Sequence, residues 1–422
     1  MDTTVLPPQL ATRQDQTGQR YRTVLFLLCF ISCALGGTVS TLMAVYLPIV
    51  IADLQGSASL AVGSDTSAYI NAMFIFGWAF GGFSWGLISD KFGRKKALLL
   101  AIGFYGLFTM ATGLAPTWGV VVISRFLSGF GVGGVLVVSF TLLNEVWPAR
   151  NRAIFTGILS IAFPVGIFSA GLLNYTVASW RAGFLIGLIP LILALVGIWF
   201  VQESGKWLAY RRENQTSEPH LTALFSATHR AALLRGSLTF GAMLIGLWAI
   251  FSWLPTWVQS LIATDAPHER GLSMMFLGMG GLSGGFLSGW LIRFLGLRQS
   301  LVLCFSVCTA MSFVLFKTNQ VFTSIIYVEI MVLALFFGLS QGVLSVYVPQ
   351  LFPTGIRSTA TGFCFNIGRL FTASAVLLVG ILVSKLGGYG NAIFLFSLVF
   401  LVGLLVVLFL KDKQGFTPET EH

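Results

Sequence analysis

The chain has 422 residues, of which 56% are hydrophobic and only 9% charged, against roughly a quarter charged in soluble domains. Apolar runs of about 20 residues, enough to cross a hydrocarbon core, recur along it, so the composition excludes a water-soluble fold and predicts an all-α integral membrane protein. A net charge of +10 would suit a nucleic-acid binder, but the basic residues gather in alternate connections, which makes the charge a topology signal instead.

Residues 1–22 are polar, and the apolar run after them is too long for a cleavable leader, so they are expected to form a tail. Twelve transmembrane segments follow, at about 23–51, 67–89, 96–115, 119–142, 153–178, 182–201, 237–262, 271–292, 299–316, 321–351, 357–384 and 389–410. Residues 202–236 are the longest polar connection, too short to bury a core of their own. The expected organisation is a six-helix bundle over 23–201, a linker over 202–236, a second six-helix bundle over 237–410, and a tail over 411–422. With the first tail cytoplasmic, Lys91, Arg94, Lys95, Lys96, Arg150, Arg152, Arg230, Arg293 and Arg298 fall inside with most other basic residues. Arg181, Arg270, Lys317 and Lys385 fall outside. That bias predicts a multi-pass protein of the plasma (cell inner) membrane with both termini cytoplasmic. The lipid bilayer is its expected surrounding, and a monomer its expected state.

The halves repeat. Gly77, Gly82 and Gly86 lead into Asp90, Gly93, Arg94, Lys95 and Lys96; 203 positions on, Gly280, Gly285 and Gly289 lead into Arg293, Gly296 and Arg298. At an offset of 205, Glu145, Pro148, Arg152 and Gly157 match Gln350, Pro353, Arg357 and Gly362. So long a period is a duplicated half-protein rather than a solenoid, and paired halves in a membrane hold a solute site between them. The 5 cysteines lie in apolar runs and the 4 histidines in loops or the tail. They offer no metal-ligand cluster, no cofactor is implied, and no nucleophile–base pair suggests an enzyme.

The stretch GLISDKFGRKK resembles the loop between helices 2 and 3 of the major facilitator superfamily, G-x-x-x-D-(R/K)-x-G-R-(R/K)-(R/K), through Gly86, Asp90, Lys91, Gly93, Arg94, Lys95 and Lys96. Arg125 to Gly134 is similar to that family's helix-4 pattern. Glu145 to Arg152 resembles its helix 4–5 loop, and QESGKWL from Gln202 resembles a segment after helix 6 in sugar-porter-type members. The resemblance covers roughly residues 20–412 and implies two pseudo-symmetric bundles in the branch of sugar porters, metabolite:proton symporters and organic-ion transporters. It also implies a cytoplasmic gate in which Asp90, Arg94, Arg152 and Glu145, with Gly86 and Gly93, latch the bundles in the outward-facing state. The first segment lacks the acid that many such members carry there.

Charges inside a membrane are costly and mark function. Arg369 is twelve residues past Arg357, hence ~18 Å deep. A guanidinium there is either a planar clamp for an anionic solute or a structural arginine. Organic-anion members of the resembling branch often carry an arginine in this context. Arg125 either ties helices together or serves the solute directly. Glu329, read as a carboxylate deep in the tenth segment, is either the proton-coupling group or half of a static ion pair. Asn366, on the same face as Arg369, together with Gln341, Tyr347, Asn71, Thr41 and Trp248, completes the candidate solute pocket. The expected function is alternating-access transport of a small, carboxylate-bearing organic anion with proton symport. An exporter of drugs or lipids and a sugar porter are the alternatives within transport, and a non-transporting sensor the one outside it.

Overall fold

Inside lipid every backbone N–H and C=O must be satisfied within the chain, and this chain does so with helices. The computed structural model describes residues 8–56, 64–213, 225, 227–262, 264–353 and 357–409. In order the helices are α1 Pro8–Gln55, α2 Ser64–Phe92, α3 Arg94–Gly113, α4 Trp118–Val146, α5 Ala149–Thr176, α6 Trp180–Phe184, α7 Leu188–Phe200 and α8 Gly205–Glu213. They continue with α9 Ala227–Ser260, α10 Pro267–Phe313, α11 Ile325–Gln350, α12 Arg357–Leu382, α13 Tyr389–Ser397 and α14 Val399–Leu408. A 3₁₀ turn, Leu185–Gly187, joins α6 to α7.

Eleven stretches among the described residues are long and apolar enough to cross a membrane, yet the chain crosses twelve times. The 47 residues of α10 would reach ~70 Å if straight, over twice the thickness of a hydrocarbon core. Gly296, with φ 75° and ψ 170°, folds it back on itself. Gly93, with φ 103°, makes the same reversal between α2 and α3, so the two positive-φ glycines stand at matching places in the two halves. Packing repeats as well. A Cβ added to Gly133 of α4 would lie 2.7 Å from the Gly82 nitrogen of α2, and one added to Gly338 of α11 would lie 2.7 Å from the Gly285 nitrogen of α10. Helices in lipid gain contact energy from such backbone-to-backbone approach, since burial from water does not drive them together.

Helix continues where apolarity stops, because the interfacial zone tolerates polar side chains. The α1 backbone is helical from Pro8, inside the expected tail, and α9 starts at Ala227 rather than 237, taking in Thr228, His229 and Arg230. Residues 1–7, 214–224 and 410–422, parts of the expected tails and linker, lie outside the described residues.

The bundles, α1–α7 and α9–α14, meet along α1–α9, α2–α12 and α5–α10. At the end away from the basic loops they are shut. The Asn71 amide donates to the Ser252 carbonyl oxygen at 3.1 Å, and the Tyr175 and His268 rings meet edge-on at 4.6 Å. At the basic end Asn144 of α4, Ser160 of α5 and Ser345 of α11 are exposed; polar side chains so placed face a wet cleft rather than lipid.

Candidate functional site

The cleft narrows onto a belt of aromatic rings halfway along the helices. Trp78 of α2 sits 5.5 Å from Phe163 of α5 and meets Trp248 of α9 edge-on at 5.3 Å, so the contact crosses from one bundle to the other. Trp248 leads on to Phe251 at 5.9 Å, and Phe251 to Phe337 of α11 at 5.6 Å.

Arg369 reaches this belt from the middle of α12. Its guanidinium carbon lies 5.1 Å above the Trp78 ring of the opposite bundle. It donates to the Asn366 side-chain oxygen at 3.1 Å and to the Phe365 carbonyl at 3.3 Å. Both acceptors belong to its own helix, and among the described residues it forms no salt bridge. The side chain is half-buried. Asn366 is held in turn: its amide donates to the Gly362 carbonyl at 3.1 Å, and its oxygen would lie 2.7 Å from a Cβ at Gly82. Gly82 of α2 thus leaves the room in which Asn366 braces Arg369. The result is a guanidinium with donors to spare, standing over an indole face between two bodies, and its chemistry suits a planar anion.

Other predicted residues divide. Trp248 is in the belt, and Asn71 closes the seam beyond it through Ser252. Gln341 and Tyr347 of α11 keep a buried amide nitrogen and a buried hydroxyl without partners among the described residues. Thr41 is 1% exposed and spends its hydroxyl on the Gly37 carbonyl of its own helix at 3.0 Å, so it does not face the cleft. Of the two roles open to Arg125, the geometry is that of the tie. It is 1% exposed, donates to the Val39 and Ser40 carbonyls of α1 at 2.9 and 3.4 Å, and lies 4.0 Å over the Phe74 ring. Glu329 is corrected in depth. Because α11 begins only at Ile325, this carboxylate is about one turn, ~6 Å, inside the helix. It is half-buried and accepts from the Asn319 amide at 2.6 Å, remote from the aromatic belt.

At the basic end, Arg94 pairs with Asp90 at 2.5 Å and with Glu145 at 3.1 Å. All three belong to the first bundle; the Arg152 side chain lies outside the described residues. The corner is pinned from the linker. Glu203 accepts from the Arg94 and Lys95 backbone nitrogens at 2.7 and 3.2 Å, placing a carboxylate on the N-terminus of α3, where the helix dipole favours it. Trp207 donates its indole N–H to the Asp90 carbonyl at 2.9 Å. A Cβ at Gly93 would run into Glu203, whereas one at Gly86 would meet open space; only Gly93 is demanded by geometry.

Sequence reasoning missed Trp78 and Phe163. Trp78 is embedded in the Gly77–Gly81–Gly82 ladder, and an indole inside a small-residue seam was the available signal. A separate groove of about 590 Å³, lined by Leu234, Leu238, Phe363 and Phe371 among others, lies on the flank of α9 and α12. Leu234 and Phe371 are largely exposed there, so this groove faces lipid rather than the cleft.

Residues 25–373 match the family described as Major Facilitator Superfamily. The cis,cis-muconate transport protein of Acinetobacter baylyi is 26% identical over 414 residues, covering 95% of this chain and 97% of that one. The niacin transporter of the same organism is 27% identical over 387 residues, covering 84% and 87%. The crystal structure of a D-xylose–proton symporter superposes with a TM-score of 0.75 at 18% identity, covering 92% of this chain and 97% of the other.

Proposed function

This chain belongs to the Major Facilitator Superfamily, and from that premise we propose that it carries small planar carboxylates, unsaturated or aromatic, together with protons. It is a membrane transporter and not an enzyme. The observation that carries the reading is Arg369: a half-buried guanidinium at mid-depth, braced by Asn366, stacked over Trp78 of the opposite bundle and, among the described residues, paired with no carboxylate. A charge so placed is compensated best by an anion that arrives and leaves, and a carboxylate accepts two parallel N–H bonds from the guanidinium fork. The Trp78, Phe163, Trp248 and Phe251 rings offer faces and edges to a flat solute. The relatives named for muconate and niacin, both carboxylates, support the same class.

The basic end is taken as cytoplasmic on the distribution of Lys and Arg, so both termini are inside and the cleft is open inward. Rocking of the bundles about the belt exposes Arg369 to each side in turn. Arg94, Asp90 and Glu145, with Arg152, close the cytoplasmic end in the outward-facing state. Proton symport is part of the proposal, without Glu329 as its carrier.

Uptake of radiolabelled benzoate and cis,cis-muconate into proteoliposomes, with and without an inward proton gradient, tests the reading. The expected result is gradient-dependent accumulation that Arg369→Lys reduces. Equal accumulation with no gradient overturns symport, and uptake of D-xylose but of neither acid overturns the cargo class.

A further inference from the structure

A second arginine is more deeply enclosed than Arg369 and has no part in the site above. Arg270, in the first turn of α10 at the outer end, is 0% exposed. Its Nη1 edge is fully engaged: it donates to Gln259 Oε1 and to Asp265 Oδ1 at 2.6 Å. Gln259 is itself fixed, accepting from the Ala266 backbone N–H at 3.0 Å and donating to the Thr264 carbonyl at 2.8 Å. The opposite edge is idle. Nε and Nη2, the two nitrogens that pair with a carboxylate side by side, are buried without a partner among the described residues.

More unspent polar atoms share this place. Ser252, Thr256 and Gln259 follow at helical spacing on α9, and the Asn71 bond to the Ser252 carbonyl fixes that stripe against the first bundle. Thr256 is 1% exposed and its hydroxyl has no partner among the described residues. From the other bundle comes Asn174 of α5, also 1% exposed. Asn174 is one turn past Gly171, where an added Cβ would lie 2.8 Å from the Met275 nitrogen of α10, so the two helices pack closely there. The Asn174 amide lies beside the Tyr46 hydroxyl without a bond of normal geometry, and that hydroxyl instead donates to the Val177 carbonyl at 2.6 Å. Buried polar groups are ordinarily paired, and idle ones on the helices that pack against Arg270 have, with its free edge, the chemistry of an anion site.

We infer that Arg270, with Thr256 and Asn174, forms an outer docking site for a carboxylate, used when the outer ends of the bundles part and emptied when they close. Asp265, 62% exposed at its side chain, orients the guanidinium from the solvent side and leaves the Nε–Nη2 edge to the incoming solute. The site stands apart from Arg369 and serves one face of the membrane only. This inference rests on the carboxylate reading above.

The test is benzoate transport measured from each side, using right-side-out and inside-out proteoliposomes of the full chain. Arg270→Gln is expected to raise the external KM about tenfold, as loss of charge-assisted hydrogen bonds does, and to leave the internal KM unchanged. Were Arg270 only a latch for the closed outer end, breaking it would populate the outward-facing state and lower the external KM. An external KM that is unchanged or lowered therefore overturns the proposal. Thr256→Val supplies a milder variant should Arg270→Gln fail to fold, with a rise of about threefold expected externally alone; no external rise in it overturns the proposal equally. An external rise in Arg270→Gln that sodium chloride competes away in the wild type identifies an inorganic anion as the occupant and overturns the solute assignment. Failure of the parent reading looks different: Arg369→Lys would then keep its wild-type KM from both sides.

Discussion

Replacing Arg369 by methionine separates a solute clamp from a structural tie, because the two predict opposite outcomes for the empty protein. Without solute, the guanidinium has one bond to Asn366, one to a carbonyl of its own helix, and the Trp78 face at 5.1 Å. The two bonds, at about 1.5–3 kcal/mol each, and the ring contact, at about 0.5–2 kcal/mol, together are worth roughly 3.5–8 kcal/mol. Against them stands the cost of holding a charge out of water, still several kcal/mol after relaxation. The two terms offset, so Arg369→Met is expected to leave the melting temperature of the detergent-solubilised protein close to that of the wild type. Binding behaves otherwise. Two charge-assisted bonds to a carboxylate, at about 1.5–3 kcal/mol each, amount to a loss of at least ~100-fold in affinity. Melting curves with and without benzoate check both halves: a saturating ligand shifts the wild type and leaves the variant still. A variant that melts several degrees lower yet keeps the benzoate shift would refute the clamp and restore the structural arginine.

Gly82→Ala brings a Cβ to 2.7 Å from the Asn366 oxygen; displaced Asn366 releases Arg369, and benzoate KM is expected to rise about threefold or more with little change in expression. Glu203→Gln removes the carboxylate on the Arg94 and Lys95 amides and should cost roughly 1–2 kcal/mol, read as a lower melting temperature with KM unchanged. Glu329→Gln keeps an acceptor for Asn319, so accumulation driven by a proton gradient should equal that of the wild type; loss of gradient dependence in this variant would return coupling to Glu329.

Twelve crossings and their duplication were legible because lipid imposes length and composition directly on sequence. Gly93 and Gly296 could be matched by register alone, and both prove to be the reversals of their halves. Arg369 was legible because a charge amid apolar residues is conspicuous. What register could not give was reach. Arg125 and Arg369 look alike as isolated charges, yet one is spent on the α1 carbonyls and the other crosses to Trp78. Glu329 misled because an apolar run does not say where its helix begins. Trp78 and Phe163 escaped notice because aromatic residues are common in membrane helices, and only tertiary contact distinguishes a belt from packing.

The duplicated halves do not meet as mirror images at the middle of the molecule: Trp78 rides on one and Trp248 on the other, their rings edge-on at 5.3 Å. A swing of one half against the other about this joint turns the two chromophores relative to each other. The protein thus contains an unlabelled ruler across its moving joint. The difference in ultraviolet emission between the wild type and Trp248→Phe reads that ruler without a dye or a cysteine handle.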